Sequence, residues 1–180
     1  MKRAILGILF LAAAAGCSTL TTSADYDPAT DFSRYKTWNY KDDGSINNEI
    51  LAKRVVSAID TELSRKGMTR DLQNPDLWVV AHGRLSKQTQ INTYDTGWGY
   101  GYGAYRWGGY GGGMSTSTVT EVPVGTLIVD LVDASKKELV WRGTASDTLN
   151  PENSPEQKQA NLQAAIAKMF ENYPPAKKAS

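Results

Sequence analysis

The chain has 180 residues, enough for one domain with a substantial core but not comfortably for two. Hydrophobic residues make up 41% and charged residues 22%, a globular composition that excludes a chain disordered throughout. The formal charge is +1, and setting aside Lys2 and Arg3 leaves 18 basic residues against 19 acidic ones, so no basic field suited to nucleic acid is present.

The first element is a leader. Lys2 and Arg3 precede an apolar run over residues 4–15, too short to span a bilayer as a lone helix. The run ends Ala14-Ala15-Gly16-Cys17, similar to the lipobox cut by the lipoprotein signal peptidase, with Ala14 standing where Leu is commoner. Small residues suit a protease cleft, and the thiolate of Cys17 is nucleophilic enough to accept a diacylglyceryl group. A single cysteine cannot form an internal disulfide, so lipid attachment gives Cys17 a use in an oxidising compartment. The competing reading is an ordinary secretory signal with an accidental cysteine. Acyl burial contributes ~0.8 kcal/mol per methylene, so two or more chains anchor stably. Ser18, in place of an aspartate after the cysteine, points to the outer membrane, facing the periplasm.

Residues 1–16 are thus expected to be a signal peptide and residues 17–25 a lipidated tether rich in Ser and Thr. A domain follows over residues 26–175, with a polar tail at 176–180. Residues 35–40, rich in aromatics, predict a first strand closed by the turn residues Lys41-Asp42-Asp43-Gly44. From residue 46 to 66, Leu51, Val55, Ile59 and Leu63 recur four apart and predict a helix, with Ser45 as N-cap and Gly67 at C′. Residues 76–94 return to strand character, with a polar outer half. Residues 115–122 and 125–133 predict two further strands, and 139–143 the hairpin partner of the second. Ser154-Pro155-Glu156-Gln157 combines an N-cap, a proline at N1 and a capping-box glutamine. It opens a helix whose stripe is Leu162, Ile166, Met169 and Phe170, with Tyr173 next and Pro174-Pro175 as its stop. The order β-α-β-β-β-β-α predicts an α+β fold: one antiparallel or mixed sheet of about five strands, with both helices packed on one face.

Residues 94–113 depart from this pattern. Nine of these twenty residues are Gly and seven are Tyr or Trp. Dense glycine disfavours helices and long strands, and the rings lack the aliphatic company of a core. The segment predicts an excursion between two strands that presents Trp98, Tyr100, Tyr102, Tyr105, Trp107 and Tyr110 as a contact loop. Such rings stack on sugar faces, settle among lipid headgroups, or form an adaptable protein-contact surface. The plainer alternative is a low-complexity loop tolerated because loop length has a small entropic cost. Arg106 is its only cation, which argues against nucleic acid.

Several pieces together resemble a known family. They are Asp25-Tyr26-Asp27, Asp31-Phe32-Ser33-Arg34-Tyr35-Lys36-Thr37-Trp38, Lys66-Gly67-Met68 and Asp76-Leu77-Trp78-Val79. Gly125-Thr126-Leu127-Ile128-Val129-Asp130-Leu131-Val132-Asp133, Leu139-Val140-Trp141-Arg142-Gly143 and Tyr173-Pro174-Pro175 complete the set. The chain resembles, over nearly all of residues 26–175, the bacterial envelope lipoproteins grouped as domain of unknown function 4136. The resemblance implies a lipobox and often a Gly-, Tyr- and Trp-rich insertion, but no established activity, substrate or cofactor.

The residues offer little for catalysis. His82, the only histidine, sits in strand register after Leu77-Trp78-Val79-Val80-Ala81 and reads as structural. A Ser-His-Asp arrangement would have to recruit it without a nucleophile-elbow motif. Zinc wants several His or Cys ligands, and no Gly-Lys-Ser/Thr follows the glycines as a phosphate loop would require. Asp130, Asp133, Glu138 and Arg142 form the best charged constellation. Asp130 lies in an apolar strand and needs a partner, for which Arg142 on the returning strand is within cross-strand reach, while Asp133 initiates the turn. The sequence therefore predicts a non-catalytic lipoprotein without metal or cofactor. Its expected partners are the membrane, through the anchor, and envelope proteins or peptidoglycan and other glycans. The alternative is a cell-wall hydrolase or transferase using carboxylates near Asp130.

Overall fold

The computed structural model describes residues 19–95 and 115–176. One six-stranded mixed sheet carries two helices. In chain order the elements are β1 (Thr21–Tyr26), a 3-10 turn (Phe32–Arg34), β2 (Thr37–Tyr40), α1 (Glu49–Arg65) and β3 (Thr69–Arg70). β4 (Leu77–Asp95), β5 (Ser115–Asp133), β6 (Leu139–Thr148) and α2 (Pro155–Met169) follow. The spatial order is β1-β6-β5-β4-β2-β3. β2 runs parallel to both β3 and β4, and the remaining pairs are antiparallel. The fold is α+β, as the pattern of periods predicts.

Three expectations need correction. Residues 17–25 are not a tether throughout: Thr21–Tyr26 pairs with β6 from Thr21↔Ser146 to Tyr26↔Trp141. The Ser/Thr composition suits a linker, but the otherwise open edge of β6 supplies the partner that turns it into a strand. Residues 115–122 and 125–133 form one strand, because Pro123 interrupts nothing. Its carbonyl accepts from Leu149 N at 2.8 Å on the β6 side, so its missing N–H also faces that side and removes no bond to β4. Finally, α1 is capped by Asn48, whose side chain accepts from Leu51 N at 3.0 Å, rather than by Ser45. The second helix starts as its sequence dictates, with the capping box of Ser154 and Gln157.

Strand alternation assigns one sheet face to the helices. Trp38, Leu77, Val79, Ala81, Val129, Leu131, Trp141 and Ala145 are buried there, against Val55, Ile59 and Leu63 of α1 and Ile166, Met169 and Phe170 at the end of α2. Each fully buried large side chain contributes about 1.5–3 kcal/mol. The 3-10 turn after β1 and the end of α2 are joined to this core by aromatic rings. Trp141 stacks on Phe170 at 4.7 Å, and Tyr173 meets Trp141, Phe170 and Phe32 edge-on. Asp76 fastens the start of β4 to β2 by accepting from Lys36 N (2.8 Å) and Thr37 N (2.9 Å), while its own amide donates to the Thr37 hydroxyl.

β4 and β5 outrun their neighbours. β5 pairs with β6 only from Val124↔Thr148 inward, whereas β4 and β5 stay paired out to Asp95↔Ser115. β6 follows β5 as far as Pro123, so from Gln88↔Val122 onward β4 and β5 form a two-stranded ribbon projecting beyond the body of the sheet.

Candidate functional site

The helix-free face carries a polar row built by cross-strand register. Val80 lies opposite Asp130, which lies opposite Arg142, and His82 lies opposite Ile128. Arg142 forks Asp130, its Nε donating to Oδ1 and its Nη2 to Oδ2, both at 2.6 Å. The Asp130 side chain is 9% exposed and that of Arg142 48%, so the carboxylate is held on the sheet while the guanidinium reaches water. Bidentate pairing with Asp130 raises the Arg142 guanidinium above its ordinary value.

His82 extends the row. Its Nε2 lies 3.6 Å from Asp130 Oδ2, and its Nδ1 lies 2.9 Å from Ser45 Oγ and 3.4 Å from Asp43 Oδ2. The turn 43–45 positions this end, with Ser45 N donating to Asp43 Oδ1 at 3.0 Å. The Ser45 hydroxyl and then its amide hold the Asp43 carboxyl below the ordinary 3.8. Sequence reading leaves Ser45 as a helix cap and gives His82 no named partner. The Asp42-Asp43-Gly44-Ser45 turn was the available signal, but only the fold brings it beside β4.

A hydroxyl, an imidazole and a carboxylate therefore stand in line, and the geometry decides what they can do. In a nucleophilic triad the carboxylate orients the imidazole, and amide donors await an oxyanion in a pocket. Here both oxygens of Asp130 are taken by Arg142, the Nε2 contact exceeds hydrogen-bond length, and Asp43 shares the Nδ1 side. The two grooves of about 360 and 390 Å³ both lie along the helices, lined by residues such as Arg54, Gln159, Gln163 and Arg65, away from this row. Among the described residues no His, Cys, Asp and Glu cluster could hold a metal ion. The row can balance charge across the sheet. Replacing Arg142 by Met, which keeps the stem and removes the fork, is expected to lower stability by about 1.5–3 kcal/mol in urea unfolding.

Asp133, three residues beyond Asp130 along β5 and on the helix-covered face, is a second carboxylate hub. Its Oδ1 accepts from Ser135 N (2.8 Å), Ser135 Oγ (2.6 Å) and Lys136 N (2.9 Å), and so shapes the β5–β6 turn. Its Oδ2 accepts from Tyr35 Oη at 2.9 Å and lies 3.5 Å from Arg34 Nη2. Cys17 and the rings of Trp98, Tyr100, Tyr102, Tyr105, Trp107 and Tyr110 lie outside the described residues. The chain joins the last six to the end of the ribbon, between Asp95 and Ser115. No helix among the described residues is long and apolar enough to cross a membrane.

The geometry defines a small α+β domain with a helix-backed mixed sheet, a charge-balanced open face and a projecting two-stranded ribbon. The chain belongs to the family described as Domain of unknown function (DUF4136), matched over residues 22–175. No curated protein matches it. Among solved structures it is similar to a PDZ domain protein from Parabacteroides distasonis, with 17% identity and a TM-score of 0.55. That match covers 89% of this chain but 36% of the other, so the chain spans about a third of that protein's length. It is also similar to the PelC dodecamer from Paraburkholderia phytofirmans, with 14% identity, a TM-score of 0.49, and coverage of 84% of this chain and 94% of that one. The first likeness shows a shared fold and nothing of activity.

Proposed function

We propose that this protein is a non-catalytic, lipid-anchored protein of the bacterial cell envelope, acting as a binding or scaffolding module through contacts with other envelope components. The observation that carries this reading is Cys17, the only cysteine, placed directly after Ala14-Ala15-Gly16 at the end of a short apolar leader. Ser18 favours the outer membrane, facing the periplasm. Against the alternative, a hydrolase or transferase using Asp130, stands the occupation of both Asp130 oxygens by Arg142 on an open sheet face. Trp98, Tyr100, Tyr102, Tyr105, Trp107 and Tyr110 are the contact residues, carried between the two strands of the ribbon. Their proposed partners are envelope proteins or glycans.

Two measurements test this. Mass spectrometry of the mature N-terminal peptide is expected to find Cys17 carrying a diacylglyceryl thioether. Cys17→Ser is expected to move the protein from the membrane to the soluble or unprocessed fraction. Normal processing and membrane recovery of Cys17→Ser would refute the anchor. Binding of purified protein to peptidoglycan sacculi, lost on deleting residues 98–113, would assign the partner as glycan. Unchanged binding would remove the loop from that contact.

A further inference from the structure

The register of the sheet and the position of the anchor constrain how the domain sits on its membrane. The Thr19 hydroxyl donates to Asp147 Oδ1, and Asp147 lies opposite Gly125, which lies opposite Leu85. Thr19 is therefore tied near the end of the sheet body, three residue pairs before the two-stranded ribbon begins at Gln88↔Val122. Only Ser18 separates it from Cys17, so the two-residue reach is at most about 7 Å. An acylated Cys17 thus brings the bilayer surface to this level and no farther away.

From that level the structure extends both ways along the strands. Outward, β4 runs ten steps from Leu85 to Asp95, about 33 Å at ~3.3 Å per step. Inward, β5 runs eight steps from Gly125 to Asp133, about 26 Å by the same rise. Strands standing upright on the membrane would drive one end or the other into hydrocarbon. The body cannot enter, and the ribbon is unsuited to it. One face mixes Leu85 and Val119 with Lys87, Thr89 and Glu121, and the other mixes Val122 and Val124 with Ser86 and Gln88, so neither offers the continuous apolar band that a membrane-crossing strand presents.

We infer that the β4–β5 ribbon lies along the phospholipid surface as a membrane-resting arm, with the strand axes close to the plane of the bilayer. This rests on the acylation of Cys17 proposed above. The ribbon has the character of a surface element. Leu85, at the base of the ribbon, is 77% exposed, and Val119, on the same face farther out, is 63% exposed. Between them Lys87 pairs with Glu121 at 3.0 Å. An isolated two-stranded ribbon is marginal in water, and a bilayer alongside supplies the missing support. Two-stranded ribbons twist strongly, so both faces need to be sampled.

The test uses full-length acylated protein in vesicles of phosphatidylethanolamine and phosphatidylglycerol carrying a headgroup nitroxide lipid. Leu85→Cys, Gln88→Cys and Val119→Cys each offer one free thiol for a fluorophore, because the Cys17 sulfur is already alkylated. Flotation and N-terminal mass report the anchor separately. Leu85→Cys, at the level of the anchor, is the reference; loss of fluorescence at Gln88→Cys or Val119→Cys, absent when Cys17→Ser is added, supports the arm. Acylated, floating protein quenched at neither Gln88→Cys nor Val119→Cys overturns the arm and leaves the anchor standing. Protein that floats without acylation, or is not acylated at all, overturns the anchor and the arm with it.

Discussion

Gly143→Val is expected to destabilise the domain by about 3 kcal/mol or more, and Gly143→Ala by a smaller part of the same penalty. Gly143 lies on the helix-covered face of β6, directly beneath side chains that fix α2 to the sheet. A Cβ there would collide with the Trp141 ring and stand 2.5 Å from Met169 Cγ and 2.6 Å from Met169 Sδ. Neither neighbour has free space to yield into, since Trp141 is buried and stacked on Phe170, and Met169 is buried at the end of α2. The damage should therefore reach the helix–sheet contact and not only the strand. Trimming the obstacle separates this account from a general dislike of substitution. Gly143→Ala with Met169→Ala should cost less than the sum of the two single changes in urea unfolding. Gly83→Ala serves as the contrast. Its Cβ would meet only Ile46 Cγ1, at 3.7 Å, and stability should stay within about 0.5 kcal/mol.

How far the sequence is readable depends on whether local pattern or long-range register makes a feature. The stripe Val55, Ile59, Leu63 and the box Ser154–Gln157 are local, and both helices stand where those residues put them. The run Leu77 to His82 is apolar enough on both faces to read as buried on both, but only Leu77, Val79 and Ala81 are buried, and Trp78, Val80 and His82 stay half-exposed because the helices cover one face alone. β1 is different. Thr21-Thr22-Ser23-Ala24 has no apolar rhythm, and only the open edge of β6 makes it a strand. The two-residue β3 has no signature either, because it exists through its pairing with Thr37 and Trp38. The same division runs through the polar residues. Asp130 and Arg142 could be paired from the hairpin alone, being close in sequence and on one face. His82 with Asp43 and Ser45, and Asp133 with Tyr35, are separated by dozens of residues and meet only through sheet order. The pieces that carry the family resemblance also change meaning in three dimensions. Phe32, Tyr35, Asp76, Asp133, Trp141 and Tyr173 are the aromatic and carboxylate ties that hold the sheet ends together.

Asp133 shows what one such tie contributes. Asp133→Ala is expected to cost about 3–5 kcal/mol, because it leaves Tyr35 Oη inside without its acceptor and strips the β5–β6 turn of three donor contacts. Asp133→Asn should cost less, since one oxygen can still take the turn amides. The two groups of the Tyr35–Asp133 bond also set opposite pH limits. Burial pushes the Asp133 carboxyl up, but the hydrogen bonds from Ser135, Lys136 and Tyr35 outweigh it and hold it well below the ordinary 3.8. Its folded value being the lower one, its contribution is whole above 3.8 and fades as pH falls beneath that value. Tyr35 is pushed up from 10.0 to about 12, first by burial, then by its bond to Asp133 and the nearby negative charge. Its folded value being the higher one, its contribution is whole below pH 10 and is lost as pH climbs toward 12. Urea midpoints measured across pH should therefore show two separable changes. Asp133→Asn should flatten the acid limb below pH 3.8, and Tyr35→Phe should flatten the alkaline limb between pH 10 and 12. If Tyr35→Phe left the alkaline limb as steep as in the parent, the hydroxyl would not be ionising inside this bond, and the Tyr35–Asp133 tie would have to be discarded as a source of stability.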